Sequence, residues 1–232
     1  MVGENQPMIN QIHSLLYRPE RGWDPVPPNH AEKYACNAWS TEVRSDLIDE
    51  LETWMNGFDG KQVLDLGGGA GQYSIAFAKL GADVTWHDVS TIYRGYTQSK
   101  AQENHVHINL SLGYMDEAPE ILKKQYDLVF NRICWNYCFD DRSFGKILFS
   151  LIKPGGIGYV DTTHSDWNRD SLSAFVRART WLNDRFAFKV GHPFPPHGRL
   201  AKLFFSMPIE KLLLDYSTKT NDRILFRRLS DS

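Results

Sequence analysis

The nine residues Val63-Leu64-Asp65-Leu66-Gly67-Gly68-Gly69-Ala70-Gly71 leave few folds open to this chain. A short apolar run carrying one acid meets a cluster of glycines. Gln72 to Leu80 follow, with apolar side chains at helical intervals. The pattern predicts a buried parallel strand that turns sharply into a helix. Glycines in such a turn adopt dihedrals forbidden to other residues and let backbone amides come close to a ligand. The helix start behind them offers free N–H groups and the positive end of its dipole. This arrangement suits a polar cofactor.

The rest of the chain alternates between the two periodicities. Strands are predicted over 61–66, 82–88, 106–112, 126–133 and 156–162, with helices over 70–80, 90–104, near 117–124 and near 140–152. Strict alternation of this kind builds a parallel sheet with helices on both faces. A helical pattern over 170–189 comes next, then a turn-rich loop from Gly191 to Gly198 and a short helix over 199–206. Ile209–Ser217 and Arg223–Leu229 predict a closing hairpin around Thr218-Lys219-Thr220-Asn221. Upstream, four prolines between Arg18 and Pro28 rule out a continuous helix there. From His30 onward the pattern is helical, with Val43, Leu47, Leu51, Trp54 and Met55 on one face and Gly57 as the stop.

Spacing narrows the ligand. A nicotinamide fingerprint needs Gly-x-Gly-x-x-Gly, and its third place falls here on Gln72. The form present, Asp65-x-Gly67-x-Gly69-x-Gly71, resembles motif I of the class I methyltransferases that use S-adenosylmethionine. Three further landmarks follow in that family's order. Asp88 ends the second strand, Tyr126-Asp127 opens the fourth, and Lys153-Pro154-Gly155-Gly156 leads into the fifth. The resemblance implies a Rossmann-like α/β fold: a mostly parallel seven-stranded sheet with an antiparallel last strand. It divides the chain into an N-terminal cap and first helix over 1–57 and a cofactor-binding methyltransferase domain over 58–232.

In that family the glycine turn passes under the methionine part of the cofactor. The resemblance therefore assigns Asp65, Gly67, Gly69 and Gly71 to that part, and Asp88 to the two ribose hydroxyls. A carboxylate can accept from both hydroxyls at once. Gly113-Tyr114-Met115-Asp116 falls where the family packs on adenine. Met115 or Tyr114 would then cover the ring and Asp116 would accept from its amine. Asn131, at the end of the fourth strand, is assigned to the cofactor as well.

Beyond Asn131 the chain reads Arg132-Ile133-Cys134-Trp135-Asn136-Tyr137, without the prolines that mark methylation of planar amino groups in the family. Trp135, Asn136 and Tyr137 are expected to line the acceptor's mouth, with Trp167 and Asn168 beside them and His30 and Tyr34 contributing from the cap. Removing a proton from a hydroxyl needs a base, and imidazole is suited to it near neutral pH. His164, just past the fifth strand, is the expected base; His192, His197 and His30 are the other candidates. No metal is expected, because the metal-dependent branch carries an Asp-Asn pair where this chain has Asp161-Thr162. Together these readings describe O-methylation of a small, sugar-like or natural-product hydroxyl. The alternatives are N-methylation of a small amine and a non-catalytic S-adenosylmethionine-binding protein.

Composition sets the outer bounds. A net charge of −2 and a pI near 6.4 give no electrostatic reason to expect nucleic acid as partner. No long apolar run or apolar leader is present, so a cytoplasmic location away from membranes is expected. Cys36, Cys134 and Cys138 lack metal-ligand spacing and read as reduced thiols.

Overall fold

A computed structural model describes residues 14–166, 173–186 and 189–230. Trp167 and Asn168 lie outside the described residues. The sheet has seven strands in the order β3-β2-β1-β4-β5-β7-β6: β1 Gln62–Leu66, β2 Asp83–Asp88, β3 Asn109–Leu112, β4 Tyr126–Arg132, β5 Ile152–Thr163, β6 Ile209–Asp215 and β7 Asn221–Arg228. The first five run parallel, and β7 is antiparallel to both β5 and β6. The expected topology is therefore the one observed.

The central strands are buried nearly throughout, and their side chains alternate between two cores because successive residues point to opposite faces. Val63, Leu128, Phe130, Ile157 and Tyr159 join one core, and Leu64, Leu66, Val129 and Val160 join the other. The first core is closed by α1 (Pro28–Trp39), α2 (Ser45–Met55), α3 (Gln72–Lys79) and α4 (Thr91–Glu103), through residues such as Leu51, Trp54, Phe77 and Tyr93. The second is closed by α5 (Ala118–Leu122), α6 (Asp141–Ser150) and, beyond α7 (Ala174–Phe186), α8 (Arg199–Phe204), with Phe144, Leu148 and Phe204 inside it. Strands covered on both faces are what a parallel sheet requires.

Two local expectations need correction. The helical stretch from His30 to Gly57 is two helices, broken between Trp39 and Ser45, where the Ser40 and Thr41 hydroxyls both donate back to Asn37 O. The second ends one residue earlier than expected, on Asn56 at φ 56°, with Gly57 N–H reaching back to Glu52 O. The Pro154-Gly155-Gly156 turn does not precede β5 but lies within it. It forms an irregularity between the Ile152–Tyr126 and Ile157–Leu128 pairs, where Gly155 takes φ 74°.

Candidate cofactor and acceptor site

The carboxyl ends of the parallel strands form one edge, the usual ligand edge of an open α/β sheet. Gly67, Gly69 and Gly71 all have positive φ there, at 79°, 50° and 83°. A Cβ on Gly67 would stand 2.5 Å from Cys134 Sγ and 3.0 Å from Met115 Sδ. The turn is held by Gly67 N–H donating to His87 O at 2.8 Å and by Trp86 Nε1 donating to Gly69 O at 3.0 Å.

Two buried acids flank this turn. Asp65 Oδ2 accepts from Ser74 Oγ at 2.6 Å, and burial pushes its carboxyl up to about 7. Asp88 Oδ2 accepts from Gly69 N at 2.9 Å and Oδ1 from Ser90 N at 3.0 Å; burial raises it to about 6. Each Asp88 oxygen keeps a further lone pair. Asp88 thus fixes the middle of the glycine turn while retaining capacity to accept from a ligand. The neighbouring His87 is fully enclosed between Ser111 Oγ (3.0 Å) and Tyr114 O (3.3 Å), and burial lowers it to about 4. That is a structural imidazole.

Met115 and Asn131 meet beneath Gly67. Asn131 Nδ2 donates to Leu66 O at 2.9 Å and approaches Met115 Sδ at 3.6 Å and Cys134 Sγ at 3.1 Å. Asn131 Oδ1 is buried without a partner, a cost of about 1–3 kcal/mol that a donor from a ligand would remove. Asp116 turns toward the chain after β4, where its Oδ1 accepts from Phe139 N at 3.0 Å; burial raises it to about 7. One of its oxygens is therefore committed to holding that segment.

The N-terminal segment lies on the same edge. Asp24 Oδ2 accepts from Thr91 N (2.6 Å) and Thr91 Oγ1 (2.8 Å) at the start of α4. Arg18 pairs with Glu117 at 2.8 Å, and Tyr114 OH donates to Tyr17 O at 2.8 Å. Trp39 Nε1 donates to Ala70 O at 2.9 Å, and the Tyr34 ring stands 3.2 Å from where a Gly69 Cβ would be. Tyr34 also packs on Tyr93, with ring centroids 5.4 Å apart. His30, one helical turn before Tyr34, is exposed.

The segment after β4 is not the aromatic mouth that its composition suggested. Trp135 is fully buried, its Nε1 bound to Asp141 Oδ1 at 3.0 Å and its ring edge-on to Phe144. It belongs to the core, so its ring is not free to stack on an acceptor. Asn136 is buried too, with its carbonyl 3.5 Å from Lys189 Nζ. Tyr137 is exposed and packs on His192, with centroids 4.8 Å apart. The sharp turn is made at Ile133, whose φ of 59° is costly for a β-branched side chain.

Sequence reading missed this buried ionic cluster. Lys189 is fully enclosed, 2.9 Å from Asp141, whose other oxygen accepts from Arg199 Nη1 at 3.1 Å. The two cations hold the Asp141 carboxyl below its ordinary range although burial opposes them. A single lysine at the end of a helical pattern carries no sequence signal of burial. Two neighbouring acids are also engaged: Asp140 caps α6, and Asp161 accepts from Asn221 Nδ2 at 2.8 Å.

His164 lies just past β5, only 6% exposed. Its backbone N–H donates to Thr220 O at 3.0 Å, and its ring Nδ1 has no partner among the described residues. The His197 ring is 4.9 Å away, centroid to centroid.

Residues 63–156 match a family model described as a methyltransferase domain. Two relatives named ubiquinone biosynthesis O-methyltransferase are similar in sequence. The protein from Erwinia tasmaniensis is 32% identical over 54% of this chain and 50% of its own length. The one from Shewanella halifaxensis is 29% identical over 60% and 62%. The chain thus spans about half to three-fifths of the curated relatives it matches. Among solved structures, an O-methyltransferase family protein from Burkholderia thailandensis aligns with TM-score 0.61 at 17% identity, covering 81% of this chain and 55% of that one. Magnesium protoporphyrin IX methyltransferase from Synechocystis PCC 6803, solved with bound SAH, aligns with TM-score 0.58 at 18% identity, covering 79% and 82%. At such identities the solved structures are likenesses of fold.

Proposed function

Because the chain belongs to the class I S-adenosylmethionine-dependent methyltransferase family, we propose that it transfers a methyl group from S-adenosylmethionine to a hydroxyl of a small acceptor. The observation that carries this reading is the cradle at the sheet edge. Three positive-φ glycines, the carboxyls of Asp65 and Asp88, and the Asn131 Oδ1 that no described residue pairs gather at one strand-end edge, where the glycines leave no Cβ between the backbone and the Cys134, Met115 and Tyr34 side chains. S-adenosylmethionine, when bound, supplies a methyl group already activated on a sulfonium.

The chain's own residues supply position and proton acceptance. Asp88 holds the ribose hydroxyls, and Asp65 with Asn131 faces the cationic amino group. Met115 sits against the first glycine of the turn, where it packs on the cofactor's apolar faces. Asp116, held near this site by Phe139 N, keeps one oxygen for the adenine amine. Residues 14–39, tied down through Asp24, Arg18 and Trp39, act as a cap that excludes water. Tyr34 closes the glycine turn, and His30 stands on the same helix face at the rim.

Oxygen as the accepting atom is supported by the relatives' names and by an imidazole pair at the end of β5, since a hydroxyl must lose a proton as it is methylated. Tyr137 borders the acceptor, with the buried Asn136 behind it. Purified protein offered S-adenosylmethionine and a panel of phenols, sugars and amines should methylate members of the hydroxyl group. Turnover confined to amines would replace the reading by N-methylation. Tight binding of S-adenosylhomocysteine without turnover on any member would leave a binding protein.

A further inference from the structure

Three elements bring two imidazoles and one carboxylate together beyond the end of β5. His164 follows that strand, His197 ends the loop over 189–198, and Asp222 belongs to the start of β7. Their heteroatoms lie within 4.8 Å of one another. The Asp222 side chain is wholly enclosed. Its Oδ1 is 2.6 Å from His197 Nδ1, and its Oδ2 accepts from Gly198 N at 2.7 Å. A carboxylate can only accept, so the bond places the imidazole proton on Nδ1 and leaves the lone pair on Nε2. The His197 side chain is 46% exposed. His164 is buried, and its Nδ1 has no hydrogen-bond partner among the described residues.

The loop that carries His197 spans the edge where the acceptor is expected. Lys189 anchors its beginning to Asp141 and to the carbonyl of Cys138 at 3.3 Å. His192 packs on Tyr137, and Pro195 O accepts from Ser165 N at 2.9 Å. The loop therefore runs from the segment after β4 to the end of β5, and its two ends are pinned by buried ionic partners. Backbone held in this way can keep an imidazole in one orientation without an induced rearrangement.

We propose that His197, oriented by Asp222, is the catalytic base that takes the proton of the acceptor hydroxyl, and that His164 is its buried packing neighbour. The inference rests on the methyl-transfer reading. In the step, the acceptor oxygen forms its bond to the methyl carbon, and the pair from the broken carbon–sulfur bond stays on sulfur. The hydroxyl proton moves to His197 Nε2, and Asp222 balances the imidazolium. The exposed edge of the ring then returns the proton to water. Asp222 is a positioning residue: it acts through His197.

The test uses the purified full chain with S-adenosylmethionine and an acceptor found in the panel. His197→Ala and the bulkier His197→Gln should lower kcat by roughly 10²–10⁴-fold. Both should keep the Kd for S-adenosylhomocysteine within about threefold, and added imidazole should restore part of the His197→Ala rate. His164→Ala should lower kcat less than His197→Ala does, and added imidazole should restore none of its loss. Asp222→Asn should lower kcat without imidazole rescue. Long-range proton–nitrogen NMR should show His197 as the single Nδ1–H tautomer in the parent and as a mixture in Asp222→Asn. Parent-like kcat in both His197 variants would overturn the proposal. So would activity lost to a chelator and restored by zinc, which would turn the three side chains into metal ligands. If no acceptor is turned over, the methyl-transfer reading falls by itself. The tautomer spectra then still decide the pair, since a His197 protonated on Nε2 rejects it.

Discussion

At the scale of single residues, the glycine turn and its two acids make the sharpest claims. Gly71 begins α3 at φ 83°, and a Cβ there would stand 2.5 Å from Thr97 Oγ1. Gly71→Ala combines a left-handed backbone with a clash inside a packed layer, and should cost about 2–4 kcal/mol in urea denaturation. A loss below about 1 kcal/mol would mean that the turn relaxes freely. Asp88 makes a claim about pH. Burial raises its carboxyl to about 6, and in the role proposed for it only the ionised form would accept from both ribose hydroxyls. Binding favours the ionised form, so affinity for S-adenosylhomocysteine should weaken as pH falls through about 6. Asp65, raised to about 7, extends the decline upward. Calorimetry on Asp88→Asn should give weaker binding throughout and a shallower pH dependence. Curves parallel to the parent's would remove Asp88 from the site.

Elements show where sequence patterning is informative. Strands and helices from Gln62 to Thr163 were legible because a parallel sheet buried on both faces writes apolar runs between turn residues, and because Asp65 and the glycines break those runs at fixed places. Trp135 misled: an indole in a polar loop reads as a binding surface, yet its N–H finds Asp141 and its ring fills the second core. Lys189 and the His197–Asp222 pair left no trace, since each joins residues far apart in the chain. The N-terminal segment lies between these cases. Its prolines excluded a long helix, but only tertiary contacts reveal that Asp24 reaches Thr91 and Tyr34 reaches the glycine turn. If the segment is a cap, cofactor should stabilise it. Limited proteolysis should then show cleavage within 15–35 slowed at least severalfold by S-adenosylhomocysteine, and Asp24→Ala should abolish most of that protection. Equal cleavage with and without ligand would leave the segment a passive cover.

For the molecule as a whole, charge separates one acceptor class from the others. The chain carries 26 basic and 28 acidic residues, so no long-range field draws in a polyanion. A basic stretch among the described residues is α7, where Arg177, Arg179 and Arg185 share a helix with exposed Phe175, Trp181 and Phe186. No described helix is long and apolar enough to cross a membrane. A small hydroxylated acceptor would be recognised by local contacts at the edge of β4 and β5, nearly insensitive to ionic strength. A nucleic acid held through six to ten phosphates would lose roughly 10³–10⁵ in affinity between about 50 and 200 mM salt. With the acceptor found in the panel, kcat/KM should therefore change by less than about twofold over that range. The same should hold when the three α7 arginines are replaced by glutamine. A steep salt dependence that those replacements abolish would show that α7 gathers an anionic acceptor. The small neutral hydroxyl compound would then have to be given up as the substrate class, while the cradle for S-adenosylmethionine would stand.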